Sequence, residues 1–137
     1  MSSPARILVV AHRTAATPKL LDHVRSRARQ NPSSFVLLVP APYWDPDTEE
    51  AAKVIELALP LLEEAAGGHV EAVVGDPDPF LAVRAALEGS PFDEVIVSTL
   101  PHRVSHWLKL DLPRRIERFG VPVTVVTATQ SEQAWRS

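Results

Sequence analysis

The sequence predicts an α/β fold, with a five-stranded parallel sheet covered by helices on both faces. Short apolar runs alternate with longer amphipathic stretches along the chain. The runs are apolar throughout, which is typical of strands that are buried on both sides. The chain has 137 residues, of which 45% are hydrophobic, which suits one core better than two. We therefore treat residues 1–137 as a single domain.

The predicted strands are runs of aliphatic and β-branched residues that end at turn residues. In chain order they cover residues 6–11, 34–39, 69–74, 93–98 and 121–127. Asn31-Pro32, Gly67-Gly68 and Gly75-Asp76-Pro77 separate the first three strands from the helices around them. Such Gly, Pro, Asn and Asp pairs end regular structure because they favour turns.

Five helices are predicted between these strands, each from its periodicity and its start signals. The first helix is predicted from residue 18 to about residue 30, and the other four cover about 48–66, 79–87, 104–108 and 112–119. Thr17 and Asp111 are expected as N-caps, and Pro60 is expected to kink the second helix. Arg25 to Arg29 lie off the apolar face of the first helix, which predicts a solvated surface.

In a parallel sheet of this kind, ligands bind at the carboxyl ends of the strands, where the strand order reverses. The loop after the first strand, residues 12–16, and the segment after the fourth, residues 98–103, are the expected positions. The pattern of strands and helices therefore predicts where a site would lie.

Composition excludes several classes of function. The net charge of −3 disfavours binding to a nucleic-acid backbone. The absence of cysteine excludes disulfides, thiolate metal sites and cysteine nucleophiles. Apolar runs are strand-sized, far short of the roughly 20 residues that a membrane helix needs, and no signal peptide is evident. We expect a cytoplasmic protein that binds neither nucleic acid nor membranes.

The chain resembles the universal stress protein family. The resemblance is carried by V-V-G-D-P-D-P-F-L-A-V (73–83), D-E-V-I-V-S-T (93–99) and V-P-V-T-V-V (121–126), with I-L-V-V-A as the first strand. It implies a Rossmann-like fold and a non-catalytic role in the stress response, with no cofactor. It also implies a homodimer that pairs through the last strand, here with Val121, Val123 and Val125.

The chain departs from the glycine motif of the ATP-binding members. At the motif's spacing, the three glycine positions fall on Ser98, Pro101 and Asp111, and the hydroxyl position falls on Leu112. The family's aspartate near the adenine falls on His12. Pro101 has no N–H to donate, and a carboxylate at Asp111 repels phosphate. The sequence therefore predicts that ATP is not bound in the family manner.

An alternative interpretation is a small anion- or metal-binding protein that uses the same crevice, with or without enzymatic activity. The candidate ligand-binding residues are His12, Arg13, Ser98, Thr99, His102, Arg103 and His106. The same residues also fit a solvated loop surface around a closed site. His102 and His106 have a spacing that suits zinc on a helix, but without further ligands we assign no metal. No G-x-S-x-G elbow is present, so no enzyme is predicted.

Overall fold

The computed structural model describes residues 4–42, 49–101 and 105–128. Its strands are β1 (Ala5–Val10), β2 (Ser33–Pro40), β3 (Val70–Gly75), β4 (Glu94–Thr99) and β5 (Val123–Thr127). Its helices are α1 (Pro18–Gln30), α2 (Glu49–Ala66), α3 (Pro79–Gly89), α4 (His106–Lys109) and α5 (Leu112–Glu117). Most boundaries lie within one or two residues of those predicted.

The five strands form one parallel sheet in the order β3-β2-β1-β4-β5. β1 is central, and Val9 aligns with Leu37 of β2 on one side and with Ile96 of β4 on the other. The chain builds outward from β1 in one direction and then crosses to β4, so the strand order reverses between these two strands. The predicted fold class is confirmed.

The core has two layers because successive side chains of a strand point to opposite faces of the sheet. Ile7 and Val9 belong to a cluster with Leu20 of α1 and Leu62 of α2. Leu8 and Val10 belong to a second cluster, which contains side chains of α3 and α5. Helices therefore cover both faces, as predicted.

Arg27 corrects one prediction, because it is not on a solvated surface. Its Nε lies 2.9 Å from Glu94 Oε1, and the two side chains are only 17% and 16% exposed. Glu94 also accepts a hydrogen bond from Thr124 Oγ1 at 3.3 Å. Tertiary packing brings α1 over the start of β4. Through Glu94, Arg27 and Thr124 link α1, β4 and β5.

Thr17 and Asp111 stand at the predicted N-cap positions, but neither side chain caps its helix. Asp111 precedes α5 in a left-handed backbone conformation (φ 59°, ψ 36°), and its side chain caps nothing. Thr17 stands at the N-cap of α1, but its hydroxyl donates to the Thr14 carbonyl oxygen instead. α4 begins at His106 behind Ser105, whose Oγ accepts a hydrogen bond from the Leu108 N–H.

No helix in the described part of the chain is long and apolar enough to cross a membrane.

Candidate functional site

The predicted site lies at the carboxyl ends of β1 and β4, which are neighbours in the sheet. The β1–α1 loop, residues 11–17, leaves the end of β1, and residues 100–105 connect β4 to α4. Because the strands are parallel and adjacent, the two segments meet at one edge of the sheet. The structure thus places residues 12–16 and 98–101 where the sequence indicated, and residues 102 and 103 lie outside the described part of the chain.

One pair of buried hydroxyl groups ties the two segments together, and a second pair links the end of β4 to the residue before α4. Ser98 Oγ lies 2.6 Å from Thr14 Oγ1, and it also donates to the Thr14 carbonyl oxygen at 3.3 Å. Thr99 Oγ1 lies 2.5 Å from Ser105 Oγ. All four residues are buried. The hydroxyls of Ser98 and Thr99 are therefore engaged inside the protein and do not face a ligand-sized space.

Leu112 and the backbone N–H of Asp111 are also engaged by the protein itself, whereas the Asp111 side chain is 61% exposed. Leu112 is fully buried, at 0% exposure, in the cluster that contains Val97 and Ile116. The Asp111 N–H donates to the Leu108 carbonyl oxygen at 3.1 Å. The positive φ of Asp111 is one that glycine adopts without steric cost. This position therefore keeps a glycine-like backbone while it presents a carboxylate.

His12 faces the other way, toward α2. It lines an open groove of about 420 Å³ between the β1–α1 loop and the first half of α2. The lining residues are His12, Arg13, Ala15, Ala16, Glu50, Val54, Leu57 and Ala58. No described residue of β4, α4 or α5 is among them. The groove is therefore separate from the positions of the glycine motif.

The electrostatic surroundings of His12 favour its neutral form. Burial lowers the pKa of His12 below its ordinary value; the nearby Glu50 opposes that effect, and Arg13 adds to it. The Nε2 atom is buried without a hydrogen-bond partner among the described residues. A neutral imidazole is consistent with this, because burial of an unpaired charge is costly.

The predicted basic cluster is only partly assembled in the described residues. His12 and Arg13 share the groove beside α2, whereas His106 is exposed at the start of α4. His102 and Arg103 lie outside the described residues. Within residues 4–42, 49–101 and 105–128, no three His, Asp or Glu side chains are grouped to hold a metal ion. The ligand-binding role of His12, His102 and His106 stays a prediction.

The sequence interpretation missed the contribution of α2 to the groove. None of Glu50, Val54 and Leu57 is among the candidate residues that the sequence indicated. The available signal was the spacing of Val54, Leu57 and Leu61, which places three aliphatic side chains on one side of a helix.

A second open groove lies between α1 and β5, lined by Lys19, Asp22, His23 and residues 124–127.

No protein-family model and no curated protein matches the chain. Solved structures do match it. A universal stress protein in complex with cAMP is 16% identical, with a TM-score of 0.65, over 93% of this chain and 100% of that one. The universal stress protein from Archaeoglobus fulgidus in complex with dAMP is 13% identical, with a TM-score of 0.65, over 92% and 99%.

A third match is a universal stress protein family protein from Arabidopsis thaliana with AMP bound. It is 13% identical, with a TM-score of 0.65, over 94% of this chain and 95% of that one. Similarity at this level of identity concerns the fold. The chain has the universal stress protein fold along nearly its whole length, as the resemblance in its sequence implied.

Proposed function

We propose that this protein is a non-catalytic binding or regulatory module of the universal stress protein type, which acts as a homodimer and does not bind ATP in the family manner. The observation that carries the proposal is the packing at the β1–β4 edge. There the motif positions Ser98 and Leu112 are buried, and the Asp111 N–H is already hydrogen-bonded. Within the same motif, Pro101 has no N–H to donate to a phosphate, and the exposed carboxylate of Asp111 would repel one.

The nucleotides in the similar structures make the comparison informative. Those proteins are described with cAMP, dAMP and AMP, so the fold accommodates an adenine nucleotide. Glycine-rich backbone cradles phosphate because successive N–H groups can point at its oxygens. In this chain a proline, a carboxylate and a buried leucine stand at the corresponding positions. We infer that the fold has been kept for binding of another kind.

The homodimer is proposed through β5, which lies at one edge of the sheet. An edge strand presents unpaired backbone groups, and pairing with a second copy is a common way to cover them. Val125 is exposed and Val123 is half-buried in this strand. Val121 precedes the strand and is buried against the core. Val123 and Val125 are therefore the better candidates for contact with a second copy.

Isothermal titration calorimetry with ATP and AMP tests the nucleotide part of the proposal. We expect no heat of binding from the wild-type protein at micromolar to millimolar nucleotide. In the matched variant Pro101→Gly/Asp111→Gly, which restores two glycines and leaves buried Leu112 in place, we expect measurable affinity. A micromolar dissociation constant for ATP in the wild-type protein would overturn the proposal.

Native mass spectrometry tests the homodimer. We expect a dimer mass for the wild-type protein and a monomer mass for Val125→Lys, because a lysine on an edge strand opposes strand pairing. Val73→Lys, on the opposite edge strand β3, is the matched control and should stay dimeric. A dimer that survives Val125→Lys and is lost in Val73→Lys would place the interface at the wrong edge.

A further inference from the structure

α2 carries an apolar stripe whose two leucines face solvent and whose Val54 packs partly against the core. Val54, Leu57 and Leu61 follow the spacing of one helix face, and Glu50 and Glu64 extend the same line at its two ends. Leu57 is 74% exposed and Leu61 is 43% exposed. We call these five residues the outer face of α2. Isolated exposed leucines are ordinary, but an aligned set beside a groove is typical of a binding surface.

The groove described above adjoins this outer face. Val54 and Leu57 belong to both, and Ala15, Ala16 and Ala58 form the rest of its apolar lining. The volume of about 420 Å³ lies within the range of roughly 300–1,000 Å³ that is usual for ligand pockets. A side chain from a partner could therefore insert between α2 and the β1–α1 loop while neighbouring residues contact Leu57 and Leu61.

The charges around the outer face select the partner. α2 carries Glu49, Glu50, Glu56, Glu63 and Glu64 against a single lysine, Lys53. Lys53 Nζ lies 3.6 Å from Glu49 Oε1, so the positive charge of Lys53 is paired with a carboxylate of the same helix. Glu56 and Glu64 are exposed, Glu64 at the end of the apolar stripe and Glu56 to one side of it. An apolar stripe with an acidic rim complements a segment that is apolar on one side and basic on the other.

The same charges disfavour a second copy of this chain as the occupant. A two-fold contact centred on Leu57 would bring the acidic ends of the two faces, Glu50 and Glu64, toward each other. Like charges brought together across an interface oppose association. The proposed homodimer uses a different surface. It forms through β5, at the opposite edge of the sheet from β3, and β5 is not part of the outer face of α2.

We propose that the outer face of α2 and its adjoining groove bind a basic amphipathic helix of a partner protein. The partner would place aliphatic side chains at helical spacing on Leu57 and Leu61 and in the groove, and lysine or arginine side chains beside Glu56 and Glu64. This is the helix-in-groove mode of recognition. This inference names the class of partner that the proposed binding module recognises. It rests on the proposed function only in taking the protein to be a binding module.

The test uses two synthetic peptides of equal length with leucine at positions i, i+3, i+4 and i+7. One has lysine at the remaining positions and the other has glutamate. The peptides are titrated into the ¹⁵N-labelled full-length protein. We expect the lysine peptide to give saturable shifts of backbone amides in residues 12–16 and 50–64, with an affinity at least about tenfold higher than that of the glutamate peptide.

Two variants make the test specific. Leu57→Ser should weaken binding of the lysine peptide at least about fivefold, as expected for a central contact residue. The matched control Leu110→Ser, at an exposed leucine on another part of the surface, should bind as the wild type does. Glu56→Lys/Glu64→Lys should reverse the preference between the two peptides. Circular dichroism and thermal melting check that each variant is folded.

Several outcomes would overturn the inference. These are equal affinity for both peptides, shifts centred outside α2 and its groove, and no effect of Leu57→Ser on binding. A monomer mass for Leu57→Ser in native mass spectrometry would overturn it as well, because the face would then be covered by a second copy. None of these results bears on ATP calorimetry, so the inference and the nucleotide proposal fail separately.

Discussion

The two sides of the β1–β4 edge are filled in opposite ways. On the β4 side, Ser98, Thr99 and Leu112 are buried. The Ser98 hydroxyl is hydrogen-bonded to that of Thr14, and the Thr99 hydroxyl to that of Ser105. On the β1 side, His12 lines an open groove whose far wall contains Leu57, exposed at 74%. The side on which Ser98 and Leu112 of the glycine motif fall is packed, whereas the side on which His12 falls is open.

This contrast teaches that a residue at a motif position can belong to the core. Once Leu112 replaces a hydroxyl residue, its side chain contributes to the core beneath α5. The packed edge then depends on that leucine for stability. The open groove lies elsewhere, between the β1–α1 loop and α2.

The largest effect is expected from Leu112→Ala. Removal of a fully buried leucine side chain costs about 2–5 kcal/mol of unfolding free energy, since both burial and packing are lost. Leu110→Ala, two residues earlier and 42% exposed, should change it by no more than about 0.5 kcal/mol. Urea unfolding followed by circular dichroism measures both. Equal losses would show that the packed edge does not depend on Leu112.

A smaller effect is expected from Ser98→Ala, which leaves the buried Thr14 hydroxyl without its partner. An unpaired buried hydroxyl costs about 1–3 kcal/mol. In a Thr14→Val background the same change should cost less, because no hydroxyl is left unpaired. The double-mutant cycle is measured by urea unfolding. Identical losses in the two backgrounds would contradict coupling across the edge.

The smallest effect is expected from the titration of His12 in the groove. Burial lowers the pKa of the folded state, so below about pH 6.5 the unfolded chain binds the proton more tightly. Stability should fall as the pH falls from about 6.5 toward the lower pKa of the folded state, and His12 should contribute no pH dependence above this window.

Unfolding in urea at about pH 7.5, 6.5 and 5.5 measures this effect. His12→Gln should flatten the acid side of the profile, whereas His106→Gln, at an exposed position, is the control. A steeper loss of stability at low pH in His12→Gln than in the wild type would show that the burial of His12 has the opposite consequence.

Most of the fold could be predicted from the sequence because strands and turns leave local patterns. The run I-L-V-V-A indicated a strand covered on both faces, and β1 is the central strand. The position of the strand-order reversal followed from the alternation of strands and helices. Pro101 and Asp111 could be assigned to motif positions because residue identity and spacing are properties of the chain alone.

The candidate site could be predicted less well. The sequence located the two segments at the edge, but it treated Ser98 and Thr99 as ligand-facing and Arg27 as solvated. Ser98 pairs with Thr14, and Arg27 pairs with Glu94. Partners separated by more than 60 residues leave no local pattern, so neither contact could be read from the chain.

The sequence by itself determined the order of elements, the parallel sheet and the absence of glycine from the motif positions. The tertiary structure alone decided that Leu112 is buried while Leu57 is exposed, although the two residues are chemically identical. The physical reason is that burial depends on which elements pack together in space. Hydrophobicity favours burial, but a helix has more apolar residues than its neighbours can cover.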